Sequence, residues 1–172
     1  MKKGIKLPKK FFEREADVVA QELLGTILCV RVGNEVVRLP ITETEAYMGP
    51  HDLASHSSKG RTKRTEVMYG PAGVIYVYLI YGMYHMLNFV TGADGAAVLI
   101  RGAGKYDGPG KLTKVLAITK EKSGLSLGEE SGLWVEARPT AAPPSHQVTP
   151  RIGVSYAKVW ADKHLRFVID SE

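Results

Sequence analysis

Glu43 and Glu45, in the run Ile41-Thr42-Glu43-Thr44-Glu45-Ala46-Tyr47, have the residue type and spacing to do acid–base chemistry. Side chains alternate between the faces of a strand, so Glu43, Glu45 and Tyr47 are expected on one face with Ile41, the two carboxylates roughly 7 Å apart along it. Like charges that close raise one partner's pKa when both are partly buried. A carboxylate so placed can stabilise an oxocarbenium-like transition state, the chemistry of glycoside cleavage. The same alternation also describes a solvated strand face carrying two glutamates, and spacing alone leaves both readings open.

A second constellation follows downstream. Five of the eight tyrosines (Tyr69, Tyr76, Tyr78, Tyr81 and Tyr84) fall within sixteen residues, just after a basic cluster of Lys59, Arg61, Lys63 and Arg64. Aromatic faces beside cations suit nucleic acid, the rings stacking on bases and the cations meeting phosphates. A Tyr-rich hairpin packed on the core with its hydroxyls at the rim gives the same pattern. Asn88 and Arg101 are polar residues in apolar strands, either satisfied within the core or aimed into a site. Other chemistries find no support. The glycines of 102–111 lack phosphate-loop spacing, and neither Lys105 nor Lys111 precedes a Ser or Thr. The five histidines form no helical metal-ligand pair, and no Gly-x-Ser-x-Gly elbow appears. The single cysteine, Cys29, excludes a disulfide framework and a Cys-rich zinc site.

These residues need elements to position them. Phe12, Ala16, Val19, Leu23 and Leu24 recur at helical spacing, with Gly25 as a stop. Ile27–Val32 reads as a strand, Gly33-Asn34 as a turn, and Val36–Tyr47 as the return strand. From His51 to Thr65 no apolar period survives, which predicts a long loop of the kind that often carries function. Strands are expected at Val74–Tyr81, with Tyr76 and Tyr78 on one face and Ile75 and Val77 on the other, at Met86–Val90, and at Ala96–Arg101. Residues 102–111 read as loop, Leu112–Ile118 as a short helix, 139–150 as a linker-like stretch, and Ile152–Val154 and Leu165–Ile169 as closing strands. Helices and mostly antiparallel strands without a βαβ rhythm predict a single α+β domain, a curved sheet with flanking helices spanning 1–172, with residues 1–10 as a solvated basic arm.

The 172 residues are 44% hydrophobic and 24% charged, with a net charge of +5. That composition supplies a core, excludes disorder, and suggests an anionic partner. The uncharged stretch Val67–Ala93 is broken by Gly, Pro, His and Asn, so no membrane span is expected, nor does the start read as a signal peptide. The expectation is a soluble cytoplasmic protein.

The longer motifs carry a resemblance. Glu43-Thr44-Glu45-Ala46-Tyr47-Met48-Gly49-Pro50, Ala54-Ser55-His56-Ser57, Tyr76-Val77-Tyr78-Leu79-Ile80-Tyr81-Gly82-Met83-Tyr84 and Ala97-Val98-Leu99-Ile100-Arg101 resemble, in order and spacing, the alkyladenine (3-methyladenine) DNA glycosylases of mammalian type. Gly108-Pro109-Gly110-Lys111-Leu112 and Pro150-Arg151-Ile152-Gly153-Val154 continue the match, which covers about Phe11 to Val168.

The resemblance implies an enzyme that flips alkylated or deaminated purines from duplex DNA and hydrolyses the N-glycosidic bond. In that reading Glu45 is the general base for the attacking water, with Arg101 and the Val154 carbonyl as its further contacts. Tyr47, His56 and Tyr78 are the aromatic walls around the flipped base. Ala54 and His56 offer backbone groups to its edge, and Met86 forms the pocket floor. Asn88 excludes the amino group of guanine. Tyr81 fills the gap left in the duplex, with Met83 beside it, and Lys59, Arg61, Lys63 and Arg64 meet the DNA backbone. A monomer without metal or cofactor is implied, as is nucleoid association in a bacterium, because the chain lacks the N-terminal extension of mammalian members. It departs from them at Met86, where some carry Cys, and at Lys63-Arg64-Thr65, where they carry an Arg-Asn pair. The rival reading is a catalytically inactive nucleic-acid-binding module of the same fold. A carbohydrate hydrolase would want a second acid across the cleft and leaves the basic surface without a role.

Overall fold

The computed structural model describes residues 3–171. Lys2 of the basic arm therefore lies outside the described residues. Among those described, nine strands pair antiparallel throughout: β1 (Ile27–Val32), β2 (Glu35–Tyr47), β3 (Ile75–Ile80), β4 (Tyr84–Val90), β5 (Ala97–Ala103), β6 (Tyr106–Asp107), β7 (Leu133–Glu136), β8 (His146–Thr149) and β9 (Arg166–Ile169). Three short α-helices accompany them, α1 (Lys9–Phe12), α2 (Ala16–Glu22) and α3 (Pro109–Val115), with 3₁₀ turns at His56–Lys59, Glu66–Tyr69, Lys120–Lys122 and Ser155–Asp162. The sheet runs β3-β4-β5-β2-β1-β7, with β6 added to β5 and β8 joined through β9 to β2.

The thirteen-residue β2 is its organising strand. Its first half, Glu35–Pro40, pairs with β1, and its second half pairs with β5 on one edge and β9 on the other. Pro40 has no N–H to donate and sits where the strand changes partners, a position a sheet tolerates. The sheet as a whole is curled into a half-barrel in one mixed α+β domain. α2 packs on its inner face through Ala16, Val19 and Ala20, which join Leu28, Ile41, Ala46, Leu87, Val98 and Ile100 in the main core.

Several expectations change. Helical spacing ran from Phe12 through Leu24, but the chain breaks between α1 and α2. The Arg14 carbonyl accepts from the Gly92 N–H (3.1 Å) instead of continuing a helix. A Cβ on Gly92 would lie 2.0 Å from the Glu13 carbonyl oxygen, so that approach requires glycine. The arm is not wholly solvated: Leu7 N–H donates to Val135 (2.8 Å), the Ile5 carbonyl accepts from Ala137 (2.7 Å), and Lys6 pairs with Glu129. The arm thereby covers the free edge of β7, a strand with no sequence signal strong enough to predict it. The linker-like stretch contains β8. Ile152–Val154 forms no strand, because the Ile152 N–H goes to a side chain.

Candidate active site

The register between β2 and β5 carries the main departure from simple alternation. Ile41 opposes Ala103, Glu43 opposes Gly102, and Thr44 opposes Ile100, which leaves Thr42 on β2 and Arg101 on β5 as extra residues. These are two β-bulges, and bulges re-aim side chains. The first corrects the expected face: Ile41 drops into the main core with Ala46, while Glu43, Glu45 and Tyr47 turn away from it. Gly102 is needed beside it, since a Cβ there would lie 2.8 Å from Thr42 Oγ1. The second bulge sets Arg101 between the two glutamates.

The carboxylates have different partners. Glu45 is fully buried; its Oε1 accepts from the Tyr47 hydroxyl and its Oε2 from the Ile152 N–H, both at 2.8 Å. Arg101 Nε stands 3.8 Å from Glu45 but donates at 2.9 Å to Glu43 Oε2, which also receives Arg166 Nε at 2.6 Å. Burial raises the Glu45 pKa above the ordinary carboxylate range, opposed by Arg101, the Ile152 N–H and the Tyr47 hydroxyl. A buried carboxylate with raised basicity is what general-base chemistry near neutral pH wants.

Glu45's partners Tyr47, Arg101 and Ile152 line a pocket of about 340 Å³, at the small end of ligand sites, while Glu45 itself lies behind them and outside the lining. Tyr47, Ala54, His56, Tyr78, Met86, Asn88, Arg101 and Val154 line the pocket, as does the exposed Tyr81. Period-2 alternation puts Tyr76 and Tyr78 of β3 on this side while Ile75 and Val77 enter the core. The His56 and Tyr78 rings are 4.2 Å apart, too close to admit a base between them. They form one stacked pair in the pocket lining, which Tyr47 also joins. His56 is uncharged at neutral pH, since burial, then Arg64, pulls its pKa down to about 4. Burial holds Tyr47 and Tyr78 well above the ordinary phenol range.

Asn88 turns Nδ2 to the Tyr76 and Met86 carbonyls (3.3 and 3.2 Å), which fixes its side chain within the pocket lining. The Val154 carbonyl already accepts from Ala157 N–H at 2.9 Å, leaving one lone pair. The Ala54 carbonyl is engaged by the Tyr156 hydroxyl at 3.2 Å. Tyr81 is 86% exposed on the hairpin between β3 and β4, with φ of 51° followed by Gly82 at 66°. A left-handed non-glycine residue costs about 1 kcal/mol, so the turn presents this ring to solvent under strain. Met83, 66% exposed, is on the same turn and does not line the pocket.

The basic cluster divides. Lys59 and Arg64 line a second hollow that shares His56 and Tyr156 with the pocket, and Arg64 lies over the Tyr78 ring at 5.7 Å. Arg61 is held by Glu66 through two 2.8 Å hydrogen bonds, so its charge is internally matched. Among the described residues no group of three or more His, Cys, Asp or Glu is placed to hold a metal ion.

One part of the site had no counterpart in the motif reading. Arg151 and Asp52, both side chains fully buried, pair at 2.6 and 3.0 Å. Arg151 also donates to the Ala46 and Trp160 carbonyls, and Asp52 accepts from the Met48 and Ala54 N–H groups. This network ties the end of β2, the loop at 51–55 and the 151–160 segment together, and so brings Ile152 to Glu45 and Ala54 to the pocket. Partners 99 residues apart leave no local pattern; the one sequence signal was Arg151 within the Pro150–Val154 run.

Comparison with known proteins gives a consistent result. Residues 10–106 and 103–172 match the methylpurine-DNA glycosylase (MPG) family. A Myxococcus xanthus protein with the provisional name 3-methyladenine DNA glycosylase is 47% identical over 180 residues, covering 96% of this chain and 91% of its own. Similarly named proteins from Legionella pneumophila (strain Lens) and Rickettsia peacockii are 48% and 43% identical, covering 95% and 98% of this chain and 94% and 92% of theirs. With a family match across nearly its whole length and relatives this similar, the chain belongs to the methylpurine-DNA glycosylase family.

Proposed function

We propose that this protein excises alkylated or deaminated purines from duplex DNA by hydrolysing the N-glycosidic bond with a water activated by Glu45. The observation that carries the reading is a fully buried carboxylate, Glu45, whose three neighbours Tyr47, Arg101 and Ile152 all line a pocket shared with the His56 and Tyr78 rings.

The chemistry follows from these groups. A base within a duplex hides its glycosidic bond, so its nucleotide must swing out, at a cost of a few kcal/mol. Tyr81, rigid and exposed at the hairpin tip, fills the vacated stack and offsets that cost. An alkylated purine carries positive charge and is held well between electron-rich rings. As the C1′–N bond breaks, its electron pair leaves with the base, so a cationic alkylated purine departs neutral and an uncharged deaminated one departs as an anion that takes a proton from solvent. Positive charge develops on the sugar, and the Glu45 carboxylate stabilises it while accepting a proton from the water that bonds to C1′. The remaining lone pair of the Val154 carbonyl and the Arg101 guanidinium orient that water. The Asn88 side chain occupies the space that a guanine amino group would need. No lysine nucleophile takes part, so the product is an abasic site in an uncut strand. Lys59, Lys63 and Arg64 meet the phosphates, Arg61 joining them only by leaving Glu66, a cheap exchange for an exposed pair. The protein acts as a monomer.

The test is direct. Incubation with duplexes each carrying one 3-methyladenine, 7-methylguanine, hypoxanthine or ethenoadenine, followed by alkali, breaks the strand at the lesion for at least one of them. Binding without alkali-sensitive sites on any lesion would refute catalysis and leave a binding module.

A further inference from the structure

We infer that Glu43 is a positioning residue whose carboxylate holds the Arg101 guanidinium off Glu45, keeping Glu45 free to accept a proton. The inference rests on the glycosylase reading above and adds to it the role of the second carboxylate.

The local charges are two and two: Glu43 and Glu45 on β2, Arg101 on the β5 bulge and Arg166 on β9. Arg166 is the backbone partner of Glu45, yet its side chain goes to Glu43 and to Thr149 Oγ1 (3.0 Å). Arg101 Nε likewise chooses Glu43 at 2.9 Å over Glu45 at 3.8 Å. A single oxygen of Glu43 thus takes both cations that could otherwise settle on Glu45. The other groups facing Glu45 are the Tyr47 hydroxyl on β2, Tyr78 on β3, and the Ile152 N–H and Tyr156 from the 151–160 segment. Arg151, the remaining cation nearby, is committed to Asp52.

This division has a chemical purpose. A guanidinium in direct contact with a carboxylate forms a charge-assisted pair that occupies its lone pairs and lowers its basicity. With Nε committed to Glu43, the Arg101 Nη1 and Nη2 atoms are left without a protein partner among the described residues, on a side chain that lines the pocket. Glu43 itself is 8% exposed and anchored through Arg166, so the arrangement is fixed before substrate arrives. The bulge leaves Arg101 beside the Glu43–Gly102 pair, two residues from the Glu45–Leu99 pair, which puts its side chain nearer Glu43.

In Glu43→Gln, Arg101 loses its charged anchor and closes on Glu45. Single-turnover excision is expected to fall roughly 10–100-fold, the loss typical of an ångström-scale misplacement, with lesion affinity within about 2-fold. The acid limb of the rate–pH profile moves to lower pH, because Glu45 gains a cation and loses a neighbouring anion. Glu43→Asp restores the charge at shorter reach and gives a rate and limb between the two. Carbon-13 NMR titration of the Glu45 side chain in the free protein reads the same downward shift without turnover. Melting curves show whether each variant is folded. Wild-type rate and limb in Glu43→Gln would overturn the inference, as would a lower melting temperature with unmoved limb and NMR titration. Should Glu43→Gln fail to fold, Glu43→Asp decides alone, and wild-type values there overturn it. Excision by the wild type in the same assay secures the underlying reading, so the two failures are separable.

Discussion

Glu45→Gln is the sharpest perturbation of the proposed mechanism, because the structure says the fold will tolerate it. The amide is isosteric and has one acceptor and one donor where the carboxylate has two acceptors. The Ile152 N–H can only donate, so the amide oxygen takes that side, and the NH₂ turns to the Tyr47 hydroxyl, which can accept. Both hydrogen bonds survive. Burial raises the Glu45 pKa, so ionised Glu45 opposes folding and the neutral amide does not. By linkage, a group raised in the folded state loses its stabilising contribution as pH climbs through that pKa; Gln has no such loss. The variant is therefore expected to melt at or above the wild-type temperature at pH 8. What it lacks is proton acceptance and negative charge beside the sugar. Those effects together predict a loss of about 10²–10⁴-fold in single-turnover excision, or about 2.7–5.4 kcal/mol of barrier. Affinity for lesion DNA holds or tightens, since a negative charge near phosphates has been removed. The assay is alkali-developed strand scission under enzyme excess, with binding followed separately by anisotropy. A folded Glu45→Gln that cuts within about 10-fold of wild type would refute the assignment of the base.

Four further outcomes are expected. Tyr81→Ser should slow excision from a stable base pair more than from a mismatch, where flipping costs less; equal losses would mean that Tyr81 acts outside flipping. Asn88→Ser or Asn88→Gly opens the space beside Met86 and should raise excision of normal or mispaired guanine, measured against an adenine-type lesion whose cutting persists. Removing one partner of the buried pair with Asp52→Ala strands Arg151 and should cost about 3–5 kcal/mol in denaturant unfolding, far more than an exposed pair such as Arg61 with Glu66. Lys63→Glu should flatten the salt dependence of binding to undamaged duplex by about 0.9 log units for each phosphate no longer neutralised, whereas an unchanged slope removes Lys63 from the interface.

Much of the site could be read before any coordinates. The tyrosines of β3 fall on one face and its aliphatics on the other because a strand's period is local, and packing follows the division: Ile75 and Val77 join the main core, Tyr76 and Tyr78 a separate cluster. Arg101 and Asn88 stood out as polar residues in apolar strands, and both line the pocket. Composition and antiparallel strand spacing indicated an α+β domain, because both record how much apolar surface the chain can bury and at what period. The elements that were missed depend on partners far away in sequence. β7 is held by β1 and the arm, β8 by β9, and the break after α1 by the backbone of Gly92. Propensity over a short window carries none of those interactions.

The two glutamates mark the boundary between what each level decides. Residue types and a two-residue interval were enough to nominate both and to exclude metal-ligand, phosphate-loop and disulfide patterns, since those depend on identity and spacing along the chain. Their separate roles depend on which cation each meets. Bulges at Thr42 and Arg101 turn Ile41 into the core and swing a guanidinium to Glu43, while a loop fixed by Arg151 and Asp52 brings the Ile152 N–H to Glu45. Electrostatic character is set by distances across a few ångströms between residues far apart in sequence, as the separations of 58, 107 and 123 residues in these hydrogen bonds show, and only the folded chain creates those distances.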